Sequence, residues 1–260
     1  MPVVKVISTI LLMSMVLTVG SIAIAKPAHP AHRPIVIYLA GDSTMAQKLP
    51  EKRPETGWGE MLGNFFQEGK VLIENRAQNG RSTRTFISEG RWQAILDQLQ
   101  PGDYVFIQFG HNDESKEKVD RYTPPADYRS NLVKFISEVR ARKALPVLLT
   151  PVMRRRFNSS GELQDTHGEY PDIVRSVAGE YKVSLIDMHR TSARILAKFG
   201  PEESRKLFLQ LRSNENPNYP KGVEDNTHFS PAGAEVMASL AVDGIRESRL
   251  GLKKLLKKRR

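Results

Sequence analysis

The sequence predicts an α/β fold in which a five-stranded parallel sheet is covered by helices on both faces. Five short apolar runs, each flanked by Gly, Pro or polar residues, are typical of buried strands. Longer segments with apolar residues at helical spacing lie between these runs. Parallel strands need crossover connections, and the crossover helices bury the faces of the sheet. The alternation of strand and helix patterns therefore predicts this architecture.

The strand candidates are 35–39, 71–73, 104–108, 147–149 and 183–186. The helix candidates are 92–99, 128–143, 170–181, 188–199 and 231–245. Pro101 and Gly102 stop the first helix, and the last helix begins with Ser230 as N-cap and Pro231 at its first position. Residues 211–224 are polar and contain prolines, so we expect a surface loop there.

The N-terminal segment is typical of an export signal. Lys5 is the only charged residue before Lys26, and an almost wholly apolar stretch between them ends in Ala-Ile-Ala. Small residues at these positions suit a signal peptidase. We therefore predict a signal peptide over 1–25 and a linker over 26–33. An uncleaved membrane anchor is the alternative, because the apolar stretch approaches the length of a spanning helix.

The composition of the remaining chain excludes several classes of fold and of functional site. The 260 residues include no Cys, which excludes a disulfide scaffold, a cysteine nucleophile and thiolate metal sites. Residues 34–249 are long enough for one domain with a large core. The formal net charge is +10, but six positive charges lie in a basic tail over 250–260 rather than on a nucleic-acid-binding face. Such a tail contacts an anionic surface or is a solvated, frayed end.

The first candidate for chemistry is the G-D-S-T motif that directly follows the first strand and contains Ser43. Ligands bind beyond the carboxyl ends of strands in open parallel sheets, so Ser43 is placed to attack a substrate. Gly41 would permit a sharp turn that exposes this side chain. The motif also suits a plain turn in which Asp42 or Ser43 caps a helix. The G-x-S-x-G elbow of the common α/β-hydrolase fold is absent.

A serine nucleophile needs a base, and the D-N-T-H segment at 225–228 supplies one. The spacing lets a single turn bring the Asp225 carboxylate onto the His228 imidazole. Asp225 would then fix the imidazole tautomer, and His228 would take the Ser43 proton. The alternative is that Asp225 caps a turn and His228 packs in a loop.

Two further motifs supply candidate donors for an oxyanion. Gly80 lies in an N-G pair after the second strand, and Asn112 lies in a G-H-N-D segment after the third. Each motif alone is an ordinary turn. Three polar motifs nevertheless follow three successive strands, and a base comes from a loop near the end of the chain. Together they indicate a serine hydrolase.

These four blocks resemble those of the SGNH (GDSL-like) hydrolase superfamily, whose name stands for residues that match Ser43, Gly80, Asn112 and His228. Other segments are similar to its rhamnogalacturonan acetylesterase branch. They are G-W-G at 57–59, N-x-A at 75–77, G-R-S at 80–82, Q-F-G-H-N-D at 108–113, T-P-V at 150–152 and T-H-G at 166–168. The resemblance extends over residues 35–247.

The resemblance implies a flavodoxin-like, three-layer α/β/α sandwich. It also implies removal of acetyl groups from polysaccharide, typically pectin, through a covalent acetyl-enzyme. The backbone N–H of Ser43 would join Gly80 and Asn112 as the third oxyanion donor. We expect no cofactor and no metal, since the D-T-H-G-E segment around His167 does not match a zinc pattern.

Substrate contacts are expected from side chains near these motifs. Arg81 and Arg84 flank the second motif, and an arginine fork pairs well with the carboxylate of an acidic sugar such as galacturonate. Trp58 would stack on a sugar face or belong to the core. His111 would orient its loop or touch the substrate. Ordinary surface arginines are the alternative for Arg81 and Arg84.

We therefore expect an exported carbohydrate O-acetylesterase, periplasmic or extracellular, that acts on rhamnogalacturonan-like pectin. It is expected to be a monomer that binds acetylated polysaccharide or oligosaccharide, binds no nucleic acid and has no membrane span after signal cleavage. One alternative is a lipase-like or arylesterase-type enzyme for another acyl ester, which would need a long apolar groove. The other is a non-catalytic glycan-binding protein on the same fold.

Overall fold

The computed structural model describes residues 1–2 and 33–258, and the chain divides into two units, Met1–His32 and Arg33–Arg260. The predicted signal peptide, apart from its first two residues, and the predicted linker, apart from Arg33, lie outside the described residues. Every helix and strand named below belongs to the second unit. None of the described helices is long and apolar enough to cross a membrane.

A five-stranded parallel sheet forms the centre of this unit, in the order β2-β1-β3-β4-β5. Its strands are β1 (Ile35–Gly41), β2 (Val71–Asn75), β3 (Tyr104–Gln108), β4 (Leu145–Leu149) and β5 (Ser184–Ile186). The predicted parallel sheet is confirmed. The strand order reverses at β1, which has β2 on one side and β3 on the other. In open α/β sheets, ligands bind outside the carboxyl ends of the strands at such a reversal.

Helices cover both faces of the sheet. They are α1 (Trp58–Met61), α2 (Thr83–Ser88), α3 (Arg91–Leu96), α4 (Pro125–Ala141), α5 (Tyr170–Glu180), α6 (Met188–Glu203, broken at Gly200) and α7 (Pro231–Glu247). Alternate residues of β1 enter two separate cores. Ile37 and Leu39 pack with α1, α6 and α7, whereas Tyr38 and Ala40 pack with α2 to α5. The alternation of side chains along a strand therefore produces the three layers.

The helix boundaries follow local capping. The Ser230 Oγ accepts a hydrogen bond from the Gly233 N–H at 3.1 Å, as expected for an N-cap. Ser82 caps α2 in the same way and forms a capping box with Thr85. Helix α2 was not predicted, because six residues are too few to show a helical period.

A second, two-stranded antiparallel sheet was not predicted either. Strand β6 (Phe208–Leu211) pairs with β7 (Val223–Phe229), and residues 212–222 connect the two. The surface loop expected over 211–224 is therefore correct only for this connection. No alternation of apolar and polar residues marks β7, because the polar D-N-T-H segment fills its middle.

The described part of the basic tail packs against the domain. Residues Gly251–Leu255 form a 3₁₀ helix in which Leu252 is fully buried, and Leu256 forms a bridge with Phe66. The Lys257 N–H donates to a backbone carbonyl at 2.8 Å. The interpretation as a frayed end is therefore wrong for these residues. Their leucines anchor the segment while their lysines face solvent.

We expect Leu252→Ala to lower the free energy of unfolding by about 2–5 kcal/mol, because it leaves a cavity in the core. The matched control is Leu49→Ala, since the Leu49 side chain is 63% exposed. We expect the control to stay within about 0.5 kcal/mol of the parent. Urea unfolding measures both, and equal effects would show that the tail does not contribute to the fold.

Candidate active site

The loops after β1, β2 and β3 meet at one edge of the sheet because these three strands are neighbours. The structure brings the predicted Ser43, Gly80 and Asn112 segments together there. The Asn112 amide donates to the Arg81 carbonyl at 3.1 Å, which joins the third motif to the second. His228 reaches the same edge from β7. The four predicted blocks therefore form one site.

The nucleophile turn, residues 41–46, packs closely against β3 at its first residue. A Cβ on Gly41 would lie 2.8 Å from the Gln108 carbonyl oxygen on β3. Glycine is therefore needed here for the close approach of two strands rather than for the sharp turn that the motif predicts. The Asp42 Oδ1 accepts from the N–H and the hydroxyl of Thr44, at 2.9 and 2.8 Å. This bonding closes the turn locally.

Ser43, His228 and Asp225 form a continuous hydrogen-bonded chain. The Ser43 Oγ lies 2.8 Å from His228 Nε2, and His228 Nδ1 lies 2.7 Å from Asp225 Oδ2. Burial by itself raises the pKa of Asp225, but hydrogen bonds from His228 and Thr227 and the charge of His228 outweigh it and lower that pKa. An ionised Asp225 fixes the proton on His228 Nδ1. Nε2 is then free to accept the Ser43 proton.

A bulge in β7 brings the acid and the base together. Gln210 pairs with Glu224 and Phe208 pairs with Phe229, so residues 225–228 lie opposite Leu209 alone. Within the bulge, the Asp225 Oδ1 accepts from the N–H groups of residues 227 and 228, at 2.7 and 2.9 Å. The turn expected at this position is therefore present, but it lies inside a strand rather than in a loop. Bulges commonly aim side chains next to active sites.

Arg155 supports the bulge from outside and was not predicted to do so. Its backbone N–H donates to the Asn226 carbonyl, and its guanidinium donates to the Asn226 side chain, both at 2.8 Å. The sequence shows Arg155 only as one of three adjacent arginines after β4. Its contact with the bulge depends on how two distant segments pack.

The oxyanion donors predicted from the sequence, Gly80 and Asn112, lie in the loops after β2 and β3. Gly80 has a φ of +75°, a conformation that favours glycine and turns its backbone relative to a regular strand. Asn112 is 7% exposed and gives one amide N–H to Arg81. Its second N–H has no hydrogen-bond partner among the described residues. One donor is therefore anchored while another remains for a ligand.

The buried His111 side chain joins the loop after β3 to the nucleophile turn, and its contact with substrate stays a prediction. Its side chain is buried, and burial lowers its pKa to about 4, so it is neutral at physiological pH. The His111 Nδ1 lies 3.2 Å from the Asp42 Oδ2, which joins the nucleophile turn to the third motif. The expectation that His111 orients its loop agrees with this contact.

The other expected substrate contacts are engaged elsewhere. Trp58 is fully buried, and its indole N–H donates to the Gln108 side chain at 2.9 Å, so the prediction that it stacks on sugar is wrong. The Arg81 Nε–H donates to both carboxylate oxygens of Glu89, at 3.1 and 3.0 Å. The Arg84 guanidinium donates to the Val119 carbonyl at 2.6 Å. Both guanidinium groups therefore have partners within the fold, and their contact with substrate stays a prediction.

No group of three or more His, Cys, Asp or Glu side chains within the described residues could hold a metal ion. The histidines near the site pair with carboxylates instead. The His167 Nδ1 lies 2.7 Å from Glu114 Oε2, and the His189 Nε2 lies 3.2 Å from Asp165 Oδ1.

Residues 39–236 match the model of the GDSL-like Lipase/Acylhydrolase family. The chain belongs to this family. Membership of this family explains why the four motifs resemble those of the SGNH superfamily. The protein is a carboxylic-ester hydrolase.

Two similar proteins carry the name rhamnogalacturonan acetylesterase. Rhamnogalacturonan acetylesterase RhgT of Bacillus subtilis is 44% identical, over 85% of this chain and 94% of its own. Probable rhamnogalacturonan acetylesterase YesY of the same organism is 39% identical, over 86% of this chain and 98% of its own. The crystal structure of Bacillus subtilis YxiM superposes with a TM-score of 0.71 at 28% identity, over 84% of this chain and 58% of that one.

We expect Asp225→Asn to lower kcat for a soluble acetyl ester by about 10⁴-fold, because His228 loses the charge that fixes its tautomer and stabilises its protonated form. The control is Asp172→Asn on α5, which removes a carboxylate that is 76% exposed. The control should keep the parental kcat. A similar kcat for the two variants would contradict the role assigned to Asp225.

The buried carboxyl of Asp113 should give the free energy of unfolding an unusual dependence on pH. Burial raises the pKa of its carboxyl to about 7, against hydrogen bonds from Thr83 that lower it. Between the unfolded and folded pKa values only the native state holds the proton, so stability falls as pH rises through that window. Relative to Asp113→Asn, the parent should lose about 1.4 kcal/mol per pH unit between about pH 4 and 7. Urea unfolding over this range measures it, and a constant difference would contradict the shift.

Proposed function

We propose that this protein is an exported carbohydrate O-acetylesterase that removes acetyl groups from pectic polysaccharide of the rhamnogalacturonan type. The observation that carries the chemistry is the hydrogen bond of 2.8 Å between Ser43 Oγ and His228 Nε2, beside the Gly80 and Asn112 segments. The two relatives that are at least 39% identical in sequence over most of their length are named as rhamnogalacturonan acetylesterases, which supports acetylated rhamnogalacturonan as the substrate class.

In the first half of the reaction, Ser43 Oγ attacks the acetyl carbonyl carbon and His228 Nε2 takes the serine proton. The carbonyl oxygen becomes an oxyanion, which the N–H groups of Ser43, Gly80 and Asn112 stabilise. When the intermediate collapses, His228 gives its proton to the departing sugar hydroxyl. The acetyl group then remains as an ester on Ser43.

In the second half, a water molecule attacks the acetyl-enzyme while His228 accepts its proton. The same three donors stabilise the second oxyanion. Collapse returns the proton from His228 to Ser43 Oγ and releases acetate. Asp225 stabilises the imidazolium in both halves and is not itself protonated.

Arg121 supports an acidic sugar as substrate and was not singled out from the sequence. A Cβ built on Gly80 would lie 3.0 Å from Arg121 Nη1, so this guanidinium adjoins the proposed oxyanion site. Its ion-pair partner is Asp120, whose side chain is 67% exposed, at 3.1 Å. Exposed pairs of this kind are weak and exchange readily. A galacturonate carboxylate could therefore displace Asp120 at this position.

Export, a monomeric state and the absence of a nucleic-acid partner belong to the same proposal. Export is supported by the predicted signal peptide over 1–25, which suits an enzyme for polymers that do not enter cells. Signal cleavage after residue 25 would be visible as the N-terminus of the mature protein.

We expect the parent to release acetate from acetylated rhamnogalacturonan, and Ser43→Ala to release it about 10⁶-fold more slowly, because the nucleophile is lost. The same pair is assayed on acetylated homogalacturonan and acetylated xylan. Equal release by both variants would contradict the mechanism, and a preference for xylan would contradict the substrate class.

Nitrophenyl esters of increasing acyl length serve as the companion assay. An acetylesterase should lose activity sharply beyond short acyl groups, whereas a lipase-like enzyme should not. A protein that binds pectin but leaves a serine-directed phosphonate unreacted would instead be a glycan-binding protein.

A further inference from the structure

A lysine with a fully buried side chain lies directly behind the nucleophile. The Lys48 side chain is 0% exposed, and its ammonium lies 2.7 Å from Glu55 Oε1. It also donates to the Ser43 carbonyl oxygen and to the Asn79 Oδ1, the latter at 2.9 Å. An ammonium carries three N–H donors, so each has one acceptor. These acceptors belong to three separate segments of the chain.

The position of Lys48 is expensive in free energy. Removing an ammonium and a carboxylate from water costs several kcal/mol per ion, and a well-packed apolar side chain in the same volume often gives equal or greater stability. Glu55 neutralises the charge but does not explain the other two contacts. The bonds to Ser43 and Asn79 indicate a requirement for geometry rather than for stability.

Both acceptors adjoin proposed oxyanion donors. Ser43 supplies a backbone N–H itself, and Asn79 directly precedes Gly80. Backbone bonding between the two segments ends where Gln78 N–H donates to the Gly41 carbonyl at 3.0 Å. Beyond that bond, Lys48 supplies the hydrogen-bonded link between the nucleophile turn and Asn79 among the described residues.

We propose that Lys48 is a positioning residue for the oxyanion hole, which holds the Ser43 and Gly80 N–H groups at the separation that one oxyanion requires. The inference rests on the acyl-transfer mechanism in the proposed function. Oxyanion donors act only within about 2.7–3.1 Å of the oxygen, so a small displacement of one turn removes a donor from the transition state. Binding of the ground-state ester, which depends little on these donors, is left almost unchanged.

The test compares Lys48→Met, Asn79→Ala and the double variant, with p-nitrophenyl acetate as substrate. Lys48→Met keeps the length of the side chain and removes its donors. We expect kcat to fall about 100-fold with KM within about threefold of the parent. Asn79→Ala should lower kcat in the same way but by less. The double variant should be no worse than Lys48→Met, because both changes break one link.

Affinity for methylboronic acid supplies a readout that a purely structural role would not change. This compound forms a tetrahedral adduct with the nucleophilic serine and places an oxygen in the oxyanion hole. Its inhibition constant should rise in proportion to the loss of kcat/KM. Labelling of Ser43 by a phosphonate measures the concentration of folded, reactive enzyme. The value of kcat is then calculated from that concentration, so unfolded protein does not lower it.

The matched control is Arg33→Met, which also leaves a buried carboxylate without its cation. Asp103 is 1% exposed and lies 2.8 Å from Arg33, just before the amino end of β3 and away from the site. This variant should lose stability and keep kcat.

A Lys48→Met variant with the parental kcat would overturn the inference, and so would additive losses in the double variant. If Lys48→Met does not fold, Asn79→Ala decides alone, and a parental kcat there overturns the inference. A parent without esterase activity would overturn the proposed function together with the inference. An active parent with unaffected variants would overturn the inference only.

Discussion

The turn after β1 is tied to every other part of the site, and the geometry of the site depends on those ties. Asp42 reaches His111 after β3, Lys48 reaches Asn79 after β2, and Ser43 meets His228 from β7. The sheet places the ends of neighbouring strands about 4.8 Å apart, which is too coarse for catalysis. Hydrogen bonds to charged groups, shielded from water, supply the finer placement.

These ties require polar groups where an apolar core would be more stable. Asp42 and Asp113 are fully buried, and the Lys48 side chain is too. Burying these groups without hydrogen bonds would be strongly unfavourable, so each group restricts the loops to arrangements that keep the hydrogen bonds it makes. The two cores on either side of the sheet supply the hydrophobic stabilisation that such an edge lacks.

Local patterns predicted the main sheet and the catalytic blocks because their signals lie within a few residues. A buried strand is a short apolar run, and each block is a cluster of polar residues at the end of one. The β6–β7 sheet was not predicted because its second strand contains a bulge of polar residues, which removes the alternation of apolar and polar residues that marks a strand. The packing of the basic tail was not predicted because lysines dominate its composition, whereas its position depends on the buried side chains of Leu252 and Leu256.

The alternation of strand and helix patterns was sufficient to predict the fold class. The G-D-S-T motif, the N-G pair, the G-H-N-D segment and the D-x-x-H pair were sufficient to predict the family and the kind of reaction. The tertiary structure decided which neighbouring side chains remain available to a ligand. Arg81 is engaged by Glu89, Trp58 by Gln108 fifty residues away, and Lys48 by two segments beyond its own. The physical reason is that burial and hydrogen-bond partners arise where distant segments cross, and a linear pattern carries no record of those crossings.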